Sequence, residues 1–239
     1  MKINFKDIIL FENDDFIVVN KPHSVSTLDE RNADDNPNSI LRMAKVYSDD
    51  AQVAHRLDKE TSGVLAIAKN PEAYRHLSMQ FEHREVRKRY HAVVEGVHNF
   101  EDISVYLPIL ALRDGMVKID RQQGKIAETI FNTLKVYKNH TLVECQPITG
   151  RMHQIRIHLT CLKAPIVSDE LYGGSMLYLS SLKKKFNLKQ DTEEQPIMKR
   201  VALHAHSLSF SLINGDPITI IAPYPKDLEV LIKQLDKNT

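Results

Sequence analysis

Four polar features interrupt otherwise apolar stretches of this chain, and each could do chemistry. The first is Asp58, in "VAHRLDKETSGVLAIAKN" (Val53 to Asn70), a carboxylate at the head of a polar turn that runs straight into an apolar run. The second is Arg156, flanked by Ile155 and Ile157 in "HQIRIHL". A guanidinium in such a place either reaches out to water or needs a carboxylate, because a buried charge without a partner is costly. A pair with Asp58 would favour the charged carboxylate and suit a nucleophile. The third is Tyr90 in "KRYHAVV", whose ring can pack in a core or stack on a planar base while its hydroxyl reaches a proton. The fourth is the pair His204 and His206 in "ALHAHSLSF", two apart and so on one face of a strand. Structural histidines held by hydrogen bonds are the plainer reading of that pair.

The elements that must position these residues can be read from hydrophobic period and punctuation. "FIVVNKP" (16–22) reads as a short buried strand stopped by Lys-Pro, and "NSILRMAKVY" carries the helical spacing Ile40, Met43, Ala44, Tyr47. The Asp/Asn-rich "STLDERNADDNPN" between them is a loop. "GVLAIAK" (63–69) is a strand-length apolar run. Asn70, Pro71 and Glu72 then form a helix start, predicting a helix over 71–85 with Ala73, Leu77 and Phe81 inward. Strands follow at "RKRYHAVVEG" and "EDISVYLPI", and a hairpin pairs 127–137 with 141–148. "TGRMHQIRIHLTCLK" predicts a helix with Thr149 as its cap, stopped by Pro165. "ALHAHSLSFSL" and "PITIIAP" form a hairpin, and "KDLEVLIKQLDK" (226–237) a final amphipathic helix. Strands follow one another directly, so the class is α+β with a mixed, mostly antiparallel sheet flanked by helices and loops. One catalytic domain is expected over 1–239, with its core at about 15–222 and the charged segment 175–200 as an insert or mobile loop.

Bulk numbers exclude several classes. With 239 residues and 42% hydrophobic residues the chain can bury a proper core, and its apolar runs are too short to span a bilayer. No membrane role is expected. The N-terminus does not read as a signal peptide, and two cysteines make no disulfide framework, so a reducing cytoplasm is the expected compartment. His158 and Cys161 fall short of a four-ligand set, so no metal is expected. Net charge is +1, from 32 basic and 31 acidic residues, so any nucleic-acid contact must rest on local patches such as "HREVRKRYH" (83–91) and the Lys183 to Lys185 run.

Five segments together resemble the RluA-type RNA pseudouridine synthases: "HRLDKETSGVLAIAK", "GRMHQIRIHL", "KRYHAVVEG", "ALHAHSLSF" and the entry strand "NKPHSVST". The order matches from about residue 15 to about residue 222. The resemblance implies a uridine-to-pseudouridine isomerase acting on structured ribosomal or transfer RNA, without cofactor and with no obligate protein partner evident. It implies that Asp58 is the catalytic aspartate, that Arg56 fills the gap left by an everted base, and that Tyr90 packs on the uracil. It pairs Arg156 with the aspartate. It places His55 and Thr61 of the first motif, Arg151, His153 and Gln154 of the second, and Leu203 and His204 of the last segment at the substrate. Three departures stand out: Met152 in place of a usual Thr, Ser168 in place of Gly before Asp169, and His23-Ser24 where Gly is usual nearby. No room is expected ahead of the first strand for an S4-type RNA-binding domain.

Overall fold

The structure is a computed structural model that describes residues 3–29, 39–188 and 192–238. In chain order its elements are β1 (Ile9–Glu12), β2 (Phe16–Lys21), α1 (Ile40–Tyr47), β3 (Ser62–Ala68), α2 (Pro71–Glu82), β4 (Arg87–Glu95), β5 (Ile103–Tyr106), β6 (Ile109–Ala111), β7 (Val117–Ile119), β8 (Glu128–Val136), β9 (His140–Pro147), α3 (Gln154–Cys161), α4 (Leu179–Leu182), β10 (Leu203–Ser211), β11 (Pro217–Ile221) and α5 (Lys226–Lys237). Short 3-10 helices lie at Phe5–Ile8 and Glu170–Tyr172. The class is α+β, as the direct succession of strands predicts. The loop expected over 26–38 lies outside the described residues from position 30 onward.

The chain divides into two compact units, Met1–Tyr90 with His204–Pro223, and His91–Leu203 with Tyr224–Thr239. In the first, β2 pairs antiparallel with β1 and with β3, β3 pairs parallel with β10, and β10 pairs antiparallel with β11. Every residue of β3 is buried. The strand carries two cores: Val64 and Ala66 face Leu77 of α2, while Leu65 and Ile67 face Ile40 and Ala44 of α1. A strand covered on both faces needs an unbroken apolar run, and this explains "GVLAIA". Helix α2 starts as its residues predict: the Asn70 side chain accepts the Ala73 N–H and Pro71 takes the first turn. It ends at Glu82, three residues before the expected Glu85, because Arg84 adopts a positive φ of 62°.

In the second unit β8 pairs antiparallel with β9 and with β5, and β6 with β7. The expected strand "EDISVYLPI" is broken at Leu107-Pro108 into β5 and β6. Proline has no N–H to give a ladder, so the chain turns there. Ile109, Val117, Ala127 and Tyr172 form a local core against which Met152 and Ile157 pack. Helix α3 begins at Gln154, not near Thr149, because His153 lies in the left-handed region (φ 52°, ψ 20°) and cannot continue a right-handed helix. Within 175–200, α4 forms, Leu177 and Met198 are buried, and the Ile197 N–H bonds the Leu177 carbonyl at 2.8 Å.

Candidate active site

In the first unit the chain around Asp58 is pinned on both sides. The Thr27 hydroxyl donates to the Leu57 carbonyl (2.8 Å) and accepts the Leu57 N–H (3.1 Å). On the other side the Lys59 carbonyl accepts from the Lys21 ammonium at 3.1 Å. Lys21 is 0% exposed and also donates to the Pro22 and Val25 carbonyls at 3.0 and 2.7 Å. An ammonium has three N–H donors, and three carbonyls meet them, which makes its burial tolerable. The Asp58 carbonyl accepts the N–H of buried Thr61 at 3.1 Å, closing the turn into β3. Two residues later Gly63 takes φ 118°, and a Cβ there would lie 2.1 Å from the Ala205 carbonyl oxygen. Only glycine permits that approach of β3 to β10.

Two histidines of this unit, His204 and His55, are committed to hydrogen bonds. His204 is buried, with Nε2 donating to the Ala222 carbonyl (3.2 Å) and Nδ1 therefore left to accept from the Ser62 hydroxyl (2.9 Å). His55 stacks on Phe81, centroids 4.6 Å apart, and its Nε2 accepts the Ala66 N–H at 3.0 Å. Burial, helped by the nearby Lys88 charge, pushes the His55 imidazole down to about 3, so it stays neutral as an acceptor must. The Lys88 ammonium lies 6.0 Å from the Phe81 centroid, and burial with the neighbouring Arg84 lowers it to about 8. Arg56 is exposed, and Tyr90 is half-buried against the core that includes Ile17 and Leu65. Ser24 adopts φ 60°, a conformation that favours glycine.

In the second unit the turn before α3 is organised by buried Gln154. Its Oε1 accepts from the Thr149 hydroxyl (2.7 Å) and the Arg151 N–H (3.0 Å), and its Nε2 donates to the Glu128 carbonyl (2.8 Å) and Thr129 hydroxyl (2.9 Å). Thr149 thus supports the turn instead of capping the helix directly. Met152 packs into an apolar cluster. Arg151 is exposed and its Nε donates to the Ile126 carbonyl at 3.1 Å. His153 Nδ1 lies 2.8 Å from the Tyr172 hydroxyl.

Arg156 is buried, and its Nε and Nη2 donate to Asp169 Oδ2 and Oδ1 at 2.7 and 2.6 Å. Its Cζ lies 4.8 Å from the Tyr172 ring centroid. The sequence leaves this cation a choice of water or a carboxylate; that it is buried and that Asp169 meets it are decided by the structure. In the sequence Asp169 and Tyr172 lie in the turn-rich string "SDELYGG". Leu203 is buried, and its carbonyl accepts from Arg200 Nη1 at 3.3 Å, while Arg200 pairs bidentately with Asp227 at 2.7 and 3.0 Å. Buried His158 bonds the Thr129 hydroxyl and Leu107 carbonyl, at 3.0 and 3.2 Å. Among the described residues no cluster of three or more His, Cys, Asp or Glu could hold a metal, and no helix is long and apolar enough to cross a membrane.

Comparison with known proteins agrees with the sequence motifs. Residues 15–160 match the RNA pseudouridylate synthase family. A ribosomal large subunit pseudouridine synthase C of Buchnera aphidicola subsp. Baizongia pistaciae is 38% identical over 216 residues, covering 88% of this chain and 64% of its own. A ribosomal large subunit pseudouridine synthase D of Xanthomonas campestris pv. campestris is 35% identical over 242 residues, covering 97% and 70%. The Escherichia coli K12 synthase C is 34% identical over 234 residues, covering 96% and 70%. This chain therefore spans 64–70% of the length of these relatives. Among solved structures, human RNA pseudouridylate synthase domain containing 4 superposes with a TM-score of 0.75 at 25% identity, covering 97% of this chain and 94% of that one. Human RNA pseudouridylate synthase domain containing 1 gives 0.67 at 25% identity, covering 94% and 86%.

Proposed function

The chain belongs to the RNA pseudouridylate synthase family, and from that premise we propose that it isomerises particular uridines in structured RNA, ribosomal RNA first, to pseudouridine. The N1–C1′ bond breaks, the uracil turns, and C5 joins C1′ while the C5 proton leaves and N1 regains one. Substrate and product are isomers, so the balance needs neither a redox carrier nor an energy donor. Asp58 is the carboxylate that acts at C1′, as nucleophile or as counter-charge to the sugar cation. Tyr90 stacks on the uracil and takes part in moving the C5 proton. Arg156 is the cation of the reaction centre and partner of Asp58. Arg56 occupies the space left by the everted base, whose removal from its stack costs a few kcal/mol. His55, Thr61, Arg151, His153, Gln154, Leu203 and His204 shape the site around them. The hydrogen bonds of His55, Gln154 and His204 support a role in holding backbone, and the exposure of Arg56 and Arg151 suits contact with phosphate or base.

The observation that carries this reading is Asp58 itself: it follows His-Arg-Leu as the family pattern requires, on a backbone held at both neighbours by Thr27 and Lys21. A reacting carboxylate gains from such fixed placement. Incubation with unmodified ribosomal and transfer RNA transcripts, followed by carbodiimide mapping, tests it. New pseudouridine at discrete positions supports the reading. Release of free uracil would mark a hydrolase, and tight binding with unchanged RNA a silent binder; either result overturns it.

A further inference from the structure

Arg156 is held by more than a counter-charge. We propose that Asp169 and Tyr172 are positioning residues that fix the plane and direction of the Arg156 guanidinium; this rests on Arg156 being the cation of the reaction centre. Asp169 meets Nε and Nη2 with both oxygens, at 2.7 and 2.6 Å, which sets the rotation of the guanidinium in its own plane. Tyr172 covers one face of it, 4.8 Å from Cζ to ring centroid, which sets its tilt. The ring is fixed in turn at its far end. Its hydroxyl accepts the Val117 N–H at 3.0 Å and has its own proton for His153 Nδ1 at 2.8 Å. The Thr160 hydroxyl, 3.0 Å from both the Arg156 and Tyr172 carbonyls, ties the helix to the same turn. Asp169 is 1% exposed and Tyr172 7%, so neither is a solvated surface contact.

The turn that presents Asp169 is built at a conformational cost. Ser168 takes φ 62° and its hydroxyl donates to the Met198 carbonyl at 2.9 Å. The Gly174 N–H bonds the Asp169 carbonyl at 2.9 Å, and a Cβ on Gly174 would lie 1.9 Å from the Ile166 carbonyl oxygen. Simple charge compensation needs no such geometry; a set direction does. A guanidinium has five N–H donors. Asp169 takes two of them along one edge, and so fixes the directions in which the other three point.

Steady-state kinetics on an unmodified ribosomal RNA transcript that the wild type modifies provide the test. Asp169→Asn is expected to lower kcat about 10- to 100-fold with KM within about threefold, as for a displaced catalytic group. Asp169→Glu keeps the charge but moves the carboxylate by one methylene, so kcat falls even where the thermal midpoint stays near wild type. Tyr172→Leu is expected to cost about tenfold in kcat. In an Arg156→Lys background, adding Asp169→Asn should cost less than about twofold more, because no fork is left to orient. Wild-type kcat in Asp169→Glu and Asp169→Asn, or a full additive loss in the double variant, overturns the positioning role, and wild-type kcat in Tyr172→Leu removes Tyr172 from it. These outcomes differ from failure of the underlying reading. Full turnover in Arg156→Lys would deny Arg156 its place in the reaction, and no pseudouridine from the wild type would deny the reaction itself.

Discussion

Asp58 and Arg156 are placed by opposite means. Around Asp58 the backbone is fixed: Thr27 takes both polar backbone groups of Leu57, and Lys21 takes the Lys59 carbonyl. Around Arg156 the side chain is fixed, by two oxygens of Asp169 and the face of Tyr172. A short carboxylate has two torsions and is directed well enough once its chain is rigid. A long guanidinium has many more rotamers to lose, so its head group must be gripped directly. The two regions should therefore answer mutation differently.

Asp58→Asn has the largest expected effect and should separate them most cleanly. Pseudouridine formation falls by orders of magnitude, while the thermal midpoint and RNA affinity stay near wild type, since the pinning of Leu57 and Lys59 does not use the carboxylate. A residual rate close to wild type would remove Asp58 from the chemistry. Arg156→Ala should instead cost stability as well as turnover. It leaves Asp169, 1% exposed, without the cation it binds, and breaking a buried pair from one side costs about 3–5 kcal/mol. Denaturant unfolding that shows no loss would mean that side-chain gripping contributes nothing to the fold.

Thr27→Val tests the pinning of the chain next to Asp58. It leaves the Leu57 N–H and carbonyl without their partner, and a stability loss of about 1–3 kcal/mol with a several-fold fall in kcat is expected. Lost stability with unchanged kcat would reduce Thr27 to a fold residue. The smallest effect concerns pH. His55 is neutral down to about 3 in the folded protein but takes a proton near its ordinary 6.5 when unfolded. Between these values the unfolded state binds more protons, so the contribution of His55 to stability is full above pH 6.5 and declines as pH falls toward 3. His55→Gln should flatten that part of the curve of thermal midpoint against pH. An unchanged slope would assign the acid sensitivity to other groups.

Much of the fold was legible in the residues, for reasons that can be named. Helix α2 announced itself through Asn70-Pro71, and β3 through an apolar run that only a doubly covered strand wants. The start of α3 was misplaced because nothing in "TGRMHQ" marks His153 as left-handed; that conformation follows from Gln154 gathering Thr149, Arg151, Glu128 and Thr129 around it. The β6–β7 ribbon escaped notice because its three-residue strands are too short to show a period. The two serines that stand where glycine is usual proved informative: Ser24 and Ser168 both adopt positive φ.

The sequence by itself determined the candidate residues of the proposed reaction and the local turns that carry them, because capping, proline geometry and hydrophobic period act over a few residues. It also narrowed Arg156 to two choices, water or a carboxylate, since burial of a lone charge is costly. Tertiary structure alone decided that Asp169 and Tyr172 hold that arginine, that Lys21 and Thr27 hold the chain beside Asp58, and that His204 gives its ring nitrogens to Ser62 and Ala222. Those pairings join residues from 13 to 142 positions apart. Their geometry depends on how strands and turns pack, which short-range propensity does not encode.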